Sequence, residues 1–148
     1  MASEEETIRQ LAVELQILEG TAEALQSRLN LLNAALTELR VASASLDGLE
    51  RETKGVSLFV PIGGGSYIKA KLESVEKVIV GVGAGVAIEK TMKEAKENVG
   101  NRLDELEKTR TALQQQLTQV IGKLQDGNAK FRDLTAKMSV ERERKTAV

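Results

Sequence analysis

The sequence contains neither cysteine nor histidine, and these two absences exclude several classes of function. Thiolate and imidazole are the usual ligands of zinc and copper, so no metal centre of that kind is expected. The thiol nucleophile and the commonest general base are missing as well, which predicts a protein that is not an enzyme and needs no cofactor. A chain without disulfides also fits a reducing, cytoplasmic location.

Aromatic residues are also scarce, and the sequence has neither a long apolar run nor an excess of positive charge. Aromatics make up only 2% of the 148 residues, with no tryptophan, although ordinary globular cores rely on them for buried area. No apolar run approaches the roughly 18 residues of a membrane span. The net charge of −1 argues against nucleic acid as the main partner, because phosphate binding needs a basic face. Leucine, valine, alanine, glutamate and lysine remain, a composition typical of long helices.

An unbroken heptad repeat occupies the first third of the chain. When Ile8 is assigned to position a, only Ala22 and Ser43 weaken the a row, and every d position is leucine. Six such heptads predict a coiled-coil helix over residues 3–54, with Ser3 opening a capping box. The d positions are Leu11, Leu18, Leu25, Leu32, Leu39 and Leu46.

A second apolar seam predicts a helix over residues 88–144. It begins at Ile88 and ends at Met138, and two successive four-residue steps after Ala95 predict local unwinding of the supercoil. Gly127 interrupts the seam, and its low helix propensity predicts a bend or loosened packing. Both helices flank a short central segment, so pairing the two seams requires an antiparallel two-helix coiled coil.

The central segment, residues 55–87, has the alternating pattern of β-strands. Apolar residues recur at every second position, and glycines at 63–65 and 83–85 predict two hairpin turns. The glycines lack the spacing of a nucleotide-binding loop, and nearby lysines have too few aromatic neighbours to suggest nucleic-acid binding. So small a sheet needs completion, which predicts closure into a β-barrel by oligomerisation. The oligomerisation residues are Val56, Leu58, Val60, Ile62, Ile68, Leu72, Val78, Val80, Val82 and Val86.

The predicted fold class is therefore mainly α with a small β region: a single 148-residue subunit with two hairpins at the hinge end of a coiled coil. The antiparallel arrangement brings both chain ends to one tip. Apolar residues at this tip either complete the seam or fray to present a binding surface to a partner. These candidate residues are Ile8, Leu11, Leu15, Phe131, Leu134 and Met138.

Two glycine-containing stretches resemble the α subunits of archaeal-type prefoldin. Residues 60–66, VPIGGGS, match a hairpin of the form V-P-x-G-x-G-S, and residues 82–90, VGAGVAIEK, match one of the form V-G-x-G-x-x-x-E-K. Gly81 and the pair Val86-Ala87 depart from the family pattern within the second hairpin. The order of helix, two hairpins and helix is also that of the family.

The resemblance implies a hexamer of two α and four β subunits whose hairpins close into barrels. It further implies an ATP-independent chaperone that holds unfolded proteins at its coiled-coil tips and passes them to a group II chaperonin. By matching positions, the tip residues would be the six named above. A structural coiled-coil protein, in which the helices serve as spacers or oligomerisation rods, is the alternative from another functional class.

Overall fold

The computed structural model describes residues 3–147 as two long helices separated by two β-hairpins. Its elements are α1 (Glu4–Glu50), β1 (Ser57–Gly63), β2 (Ser66–Lys71), β3 (Lys77–Gly83), β4 (Val86–Thr91) and α2 (Met92–Thr146). The chain divides into two compact units. The terminal unit comprises residues 3–33 and 108–147, and the hairpin unit comprises residues 34–107.

Helix α1 buries the heptad seam that its sequence predicts. No a or d position of the repeat is exposed, and the buried seam residues are Leu15, Leu25, Leu29, Leu36, Leu39 and Leu46, of which Leu36 is fully enclosed. The Ser3 hydroxyl accepts a hydrogen bond of 3.2 Å from the backbone N–H of Glu6, which caps the first turn. The pattern of apolar residues thus decides which face of α1 packs.

The C-terminal end of α1 differs from the prediction. The helix stops at Glu50 rather than continuing to residue 54. The N–H of Glu52 then bonds to the carbonyl of Leu49 over 3.1 Å, a tightened final turn. Gly55 follows with a φ of 87°, a left-handed conformation that a helix cannot continue and that glycine tolerates best.

The two hairpins are internal counterparts, offset by twenty residues. Strands β1 and β2 pair antiparallel with Val60 opposite Ile68, and β3 and β4 pair in the same register with Val80 opposite Ile88. Each hairpin has a register shift just before its two-residue turn. Each forms its own two-stranded sheet within the described residues.

The boundary between the second hairpin and α2 lies later than predicted. Residues 88–91 belong to β4, so Ile88 is a strand residue and not the first member of the helical seam. The Thr91 hydroxyl accepts a 3.1 Å hydrogen bond from the N–H of Glu94, so Thr91 is the N-cap of α2. The sequence signal is Thr91-x-x-Glu94, a capping-box spacing that the apolar pattern alone does not reveal.

The hairpin unit has its own apolar core beside the β segment. Its buried members are Leu39, Leu46, Met92, Ala95 and Val99. Val78 and Val80, on one face of β3, pack against this cluster and fasten the second hairpin to the helices. At the rim, the ammonium group of Lys96 lies 2.9 Å from Asp47 and 2.6 Å from Glu50.

In the terminal unit, Gly127 does not loosen the helix pair. Helix α2 continues through this position, and the side chain of Leu15 lies directly against the glycine, with only 7% of its surface exposed. A Cβ atom at position 127 would be 2.6 Å from Leu15 Cδ2. The predicted loosened packing is therefore wrong, because the missing side chain provides the space that Leu15 fills.

Candidate functional site: assembly and tip surfaces

The hairpins expose a large apolar surface, which we call the assembly surface. Phe59 is 68% exposed and Ile79 is 73% exposed, values unusual for residues of this size in a sheet. Soluble proteins rarely leave this many large apolar side chains uncovered on so short a segment unless another chain binds there. Its exposed members are Phe59, Val60, Ile62, Tyr67, Ile68, Ile79, Val82, Val86 and Ile88.

Both hairpins also leave strand edges open. Since each is a separate two-stranded sheet among the described residues, every strand has one edge without a strand neighbour. Open edges carry unpaired N–H and carbonyl groups that readily accept a further strand. The assembly surface therefore offers both backbone hydrogen bonds and apolar side chains to a partner.

The predicted oligomerisation residues fall into two groups in the structure. Val60, Ile62, Ile68, Val82 and Val86 are exposed. The others are partly buried within this chain: Val56, Leu58, Leu72, Val78 and Val80. Phe59, Tyr67 and Ile79 belong to the exposed surface but not to the predicted set, because they lie on the faces that the alternation does not select, and the structure exposes both faces. Ile88 is also exposed, although the sequence predicts that it begins the helical seam.

The first hairpin has the freer surface. Neither of its strands contributes a side chain to the helical core cluster, whereas β3 contributes two. On the second face of the first hairpin, Phe59 pairs with Lys69, whose ammonium group lies 6.0 Å from the ring centroid. The two hairpins share a register but differ in how much surface they leave for a partner.

The second candidate site is a groove of about 400 Å³ in the terminal unit, which three of the predicted tip residues line. These are Ile8 from α1 and Phe131 and Met138 from α2, each partly buried. We call this feature the tip groove. Its floor is apolar and adaptable, because methionine has three rotatable bonds and a polarizable sulfur.

The wall of the tip groove includes polar residues that the sequence analysis omitted. Thr135, Ser139 and Arg142 line it beside the apolar floor. Thr135 donates its hydroxyl to the Phe131 carbonyl over 2.7 Å, and Arg142 lies 3.9 Å from Glu5. These residues follow Phe131 by four, eight and eleven positions, so helical spacing alone could have identified them.

The remaining tip candidates differ in accessibility. Leu11 and Leu134 are partly buried, but Leu15 is buried against Gly127. In this folded conformation Leu15 stabilises the helix pair and presents little surface to a partner. The structure thus brings Ile8, Phe131 and Met138 together in the groove and places Leu15 inside the packing.

Charged groups in the described part of the chain form no cluster suited to metal binding. No group of three or more acidic residues between 3 and 147 could hold a metal ion. Hydrogen bonds from Lys96 to Glu50 and Asp47 raise the pKa of the Lys96 ammonium group above its ordinary value of 10.5. No helix among these residues is both long and apolar enough to cross a membrane.

Comparisons with known proteins agree with this architecture. The family described as "Prefoldin subunit" matches residues 18–137. Prefoldin subunit alpha 1 of Thermococcus kodakarensis is 33% identical over 105 residues, covering 71% of this chain and 72% of its own length. Prefoldin subunit alpha of Methanosarcina barkeri is 34% identical over 124 residues, covering 82% and 86% respectively.

Solved structures share the fold. A chain in the cryo-EM structure of filamentous PFD from Methanocaldococcus jannaschii has a TM-score of 0.66 and 26% identity, covering 78% of this chain and 95% of its own. The prefoldin beta subunit from Thermococcus strain KS-1 has a TM-score of 0.60 at 15% identity, covering 90% and 96%, and supports the fold alone. The helix–hairpin–helix architecture is that of the prefoldin subunits, a family of chaperone subunits. The chain belongs to the prefoldin family, and its curated relatives are alpha subunits.

Proposed function

We propose that this chain is the α-type subunit of a hetero-hexameric, ATP-independent holdase, containing two copies of this chain and four β-type prefoldin subunits. In the proposed complex, the assembly surfaces close into β-barrels. The tip grooves hold unfolded proteins until these pass to a group II chaperonin. The main support for client binding is the groove in which Ile8, Phe131 and Met138 come together near the ends of both helices.

The physical properties of this groove suit a client without a defined fold. Unfolded chains expose apolar side chains in no fixed order, and flexible apolar surfaces can repack around them better than preorganised hydrogen-bonding sites can. One shallow groove binds weakly. Several grooves in one complex would bind the same client with avidity, because later contacts become intramolecular.

Assembly is tested by measuring the mass of the complex formed with a β-type prefoldin subunit. We expect a hexamer, and we expect Ile68→Asp to weaken it because a carboxylate would be buried against another chain. Lys71→Ala, on the same strand, changes the net charge by the same one unit without adding a carboxylate and is the control. A well-folded monomer in the presence of the β subunit contradicts the proposal.

Self-assembly is a second candidate, since one structural relative is described as filamentous. The open edges on both hairpins support it, because strand addition that does not close can continue indefinitely. Sedimentation of the chain alone distinguishes the two modes. An open polymer gives a mass that grows with concentration, whereas the hexamer requires the β subunit.

Client holding is tested in the assembled complex with Ile8, Leu11, Phe131 and Leu134 changed to serine. We expect suppression of client aggregation to fall while the mass of the complex is unchanged. Val41→Ser and Ile121→Ser remove exposed apolar side chains outside the tip groove and provide the matched control. Unchanged suppression by the tip variant would support a structural spacer instead.

Transfer is tested by adding a group II chaperonin to a fluorescent client held by the complex. We expect the client to move to the chaperonin without ATP being consumed by the prefoldin complex. Retention of the client on the wild-type complex contradicts the transfer step. Saturable binding of ATP to the complex contradicts the ATP-independent mechanism.

A further inference from the structure

A second groove in the terminal unit lies outside the tip groove. It has a volume of about 590 Å³ and is formed by both helices. Its apolar surface comes from Ile17, Ala24 and Leu25 of α1 and Val120 of α2. Ile17 is 64% exposed, so this surface is only partly covered within the chain. We call this feature the lateral groove.

The lateral groove continues along an apolar face of α1 that the coiled coil does not use. Leu31 occupies the same heptad position, c, as Ile17 and is 74% exposed, and Val13 at the neighbouring outward position f is 56% exposed. A coiled-coil helix normally has polar residues on this side, since its seam alone faces the partner helix. The terminal unit therefore has a second apolar face on α1 in addition to its buried seam.

The shape of the groove favours a helix as its occupant. Gly20 and Ala24 are one turn apart, and a Cβ added at Gly20 would meet nothing within 4 Å. Small residues at this spacing allow another helix backbone to approach closely. The stretch from Ile17 to Arg28 spans about 16 Å, which corresponds to three helical turns.

The charges around the groove favour an acidic occupant. Arg28 from α1 and Lys123 from α2 both line it, and neither forms a salt bridge within residues 3–147. The other polar groups that line the groove are the Thr21 hydroxyl and the amides of Gln116 and Gln119, none of which carries a charge. Carboxylates on either side of an apolar stripe would complement these two cations across the groove.

We propose that the lateral groove docks an amphipathic helix of a partner protein, with an apolar stripe flanked by acidic residues. The stripe would lie over Gly20 and Ala24 and contact Ile17. The acidic flanks would lie near Arg28 and Lys123. This interaction uses a surface other than the tip groove, so a helical partner and an unfolded client could be bound together.

The test uses the assembled complex and three fluorescent 18-residue peptides. The first has a leucine stripe flanked by glutamates, the second has lysines in place of the glutamates, and the third is the acidic peptide with two central prolines. Fluorescence anisotropy measures the Kd of each. We expect the acidic helical peptide to bind at least tenfold more tightly than the other two.

Two variants identify the groove as the binding site. Gly20→Leu fills it and improves helix propensity, so we expect at least tenfold weaker binding of the acidic peptide without loss of folding. Gly48→Leu is the matched control, since its added side chain also meets open space and lies in the hairpin unit. Arg28→Glu combined with Lys123→Glu should reverse the preference in favour of the lysine-flanked peptide.

The outcomes separate this proposal from the holdase function. The complex that carries Gly20→Leu should suppress client aggregation to the same extent as the wild-type complex, because the tip groove is unaltered. The proposal is overturned if wild type does not bind the acidic peptide, if Gly20→Leu binds it normally, or if the proline peptide binds equally well. It is also overturned if charge reversal leaves the preference unchanged.

Discussion

Gly127 and Leu15 are complementary in shape: the missing side chain on α2 is the space occupied by the leucine on α1. A Cβ at position 127 would lie 2.6 Å from Leu15 Cδ2 and 3.6 Å from its Cγ. Glycine is unfavourable in a helix by about 1 kcal/mol, and here the packing of a buried leucine offsets that cost. Position 127 therefore has a residue of low helix propensity at a point where the two helices pack closely.

The first prediction concerns Gly127→Ala. We expect a loss of about 1 kcal/mol in unfolding free energy, because overpacking against Leu15 outweighs the gain in helix propensity. Gly122→Ala, in the same helix with open space around its Cβ, should instead stabilise by about 0.5–1 kcal/mol. Thermal unfolding followed by circular dichroism at fixed subunit concentration measures both.

The coupling between the two positions provides the control. In a Leu15→Ala background, Gly127→Ala should be neutral or stabilising, because the clashing methyl group is absent. If Gly127→Ala stabilises the wild-type chain as much as Gly122→Ala does, the close packing described here is wrong.

The second prediction concerns the hairpin turns. Ala84 has a φ of 52°, and the equivalent position in the first hairpin is Gly64 with a φ of 59°. A left-handed conformation costs a non-glycine residue about 1–2 kcal/mol. We therefore expect Ala84→Gly to raise the unfolding free energy of the assembled complex by about 1 kcal/mol, and Gly64→Ala to lower it by a similar amount. Equal effects of the two substitutions in the same direction would contradict the shared turn geometry.

The third prediction concerns the start of α2. Thr91→Ala removes the hydroxyl that accepts the N–H of Glu94, and we expect a loss of about 0.5–2 kcal/mol in unfolding free energy. Thr91→Ser keeps the acceptor and should recover most of that loss. Denaturant titration gives both values. A serine variant as unstable as the alanine variant would show that the methyl group, and not the cap, is what matters.

The fourth prediction concerns pH and the ion pairs of Lys96. Hydrogen bonds to Glu50 and Asp47 raise its pKa in the folded state above 10.5. The stabilisation is therefore complete below the ordinary pKa of lysine and is lost as pH rises through the raised folded value. We expect the melting temperature of wild type to fall more steeply than that of Lys96→Met between about pH 9 and 12.

Because the Lys96 side chain is partly exposed, its ion pairs contribute little to stability, and their contribution depends on the salt concentration. The Lys96 side chain is 38% exposed, so dissolved ions screen its attraction to both carboxylates. The difference between wild type and Lys96→Met should shrink in high salt at neutral pH. Identical pH profiles for the two proteins would mean that the pairs contribute nothing measurable in solution.

The paired helices and the hairpin turns could be predicted from the sequence because their signals are local. The leucine row of α1 defines one apolar face, and all its members are at least partly buried as expected. The glycines at 63–65 also identify a turn, since three consecutive residues adopt positive φ there. In both cases residues close together in the chain show the conformation: the heptad spacing shows which face of α1 packs, and the glycines show where the chain turns.

Tertiary structure decided the features that depend on residues far apart in the chain. Nothing near Gly127 indicates that Leu15 fills its missing side chain, and nothing near Val80 indicates that it packs on the helical core while Ile79 beside it stays exposed. The end of β4 at Thr91 likewise depends on pairing with Lys77. The sequence therefore determined the elements and their apolar faces. Long-range packing decided which apolar residues are buried within the chain and which remain available to partners, because burial depends on what each side chain meets across the fold.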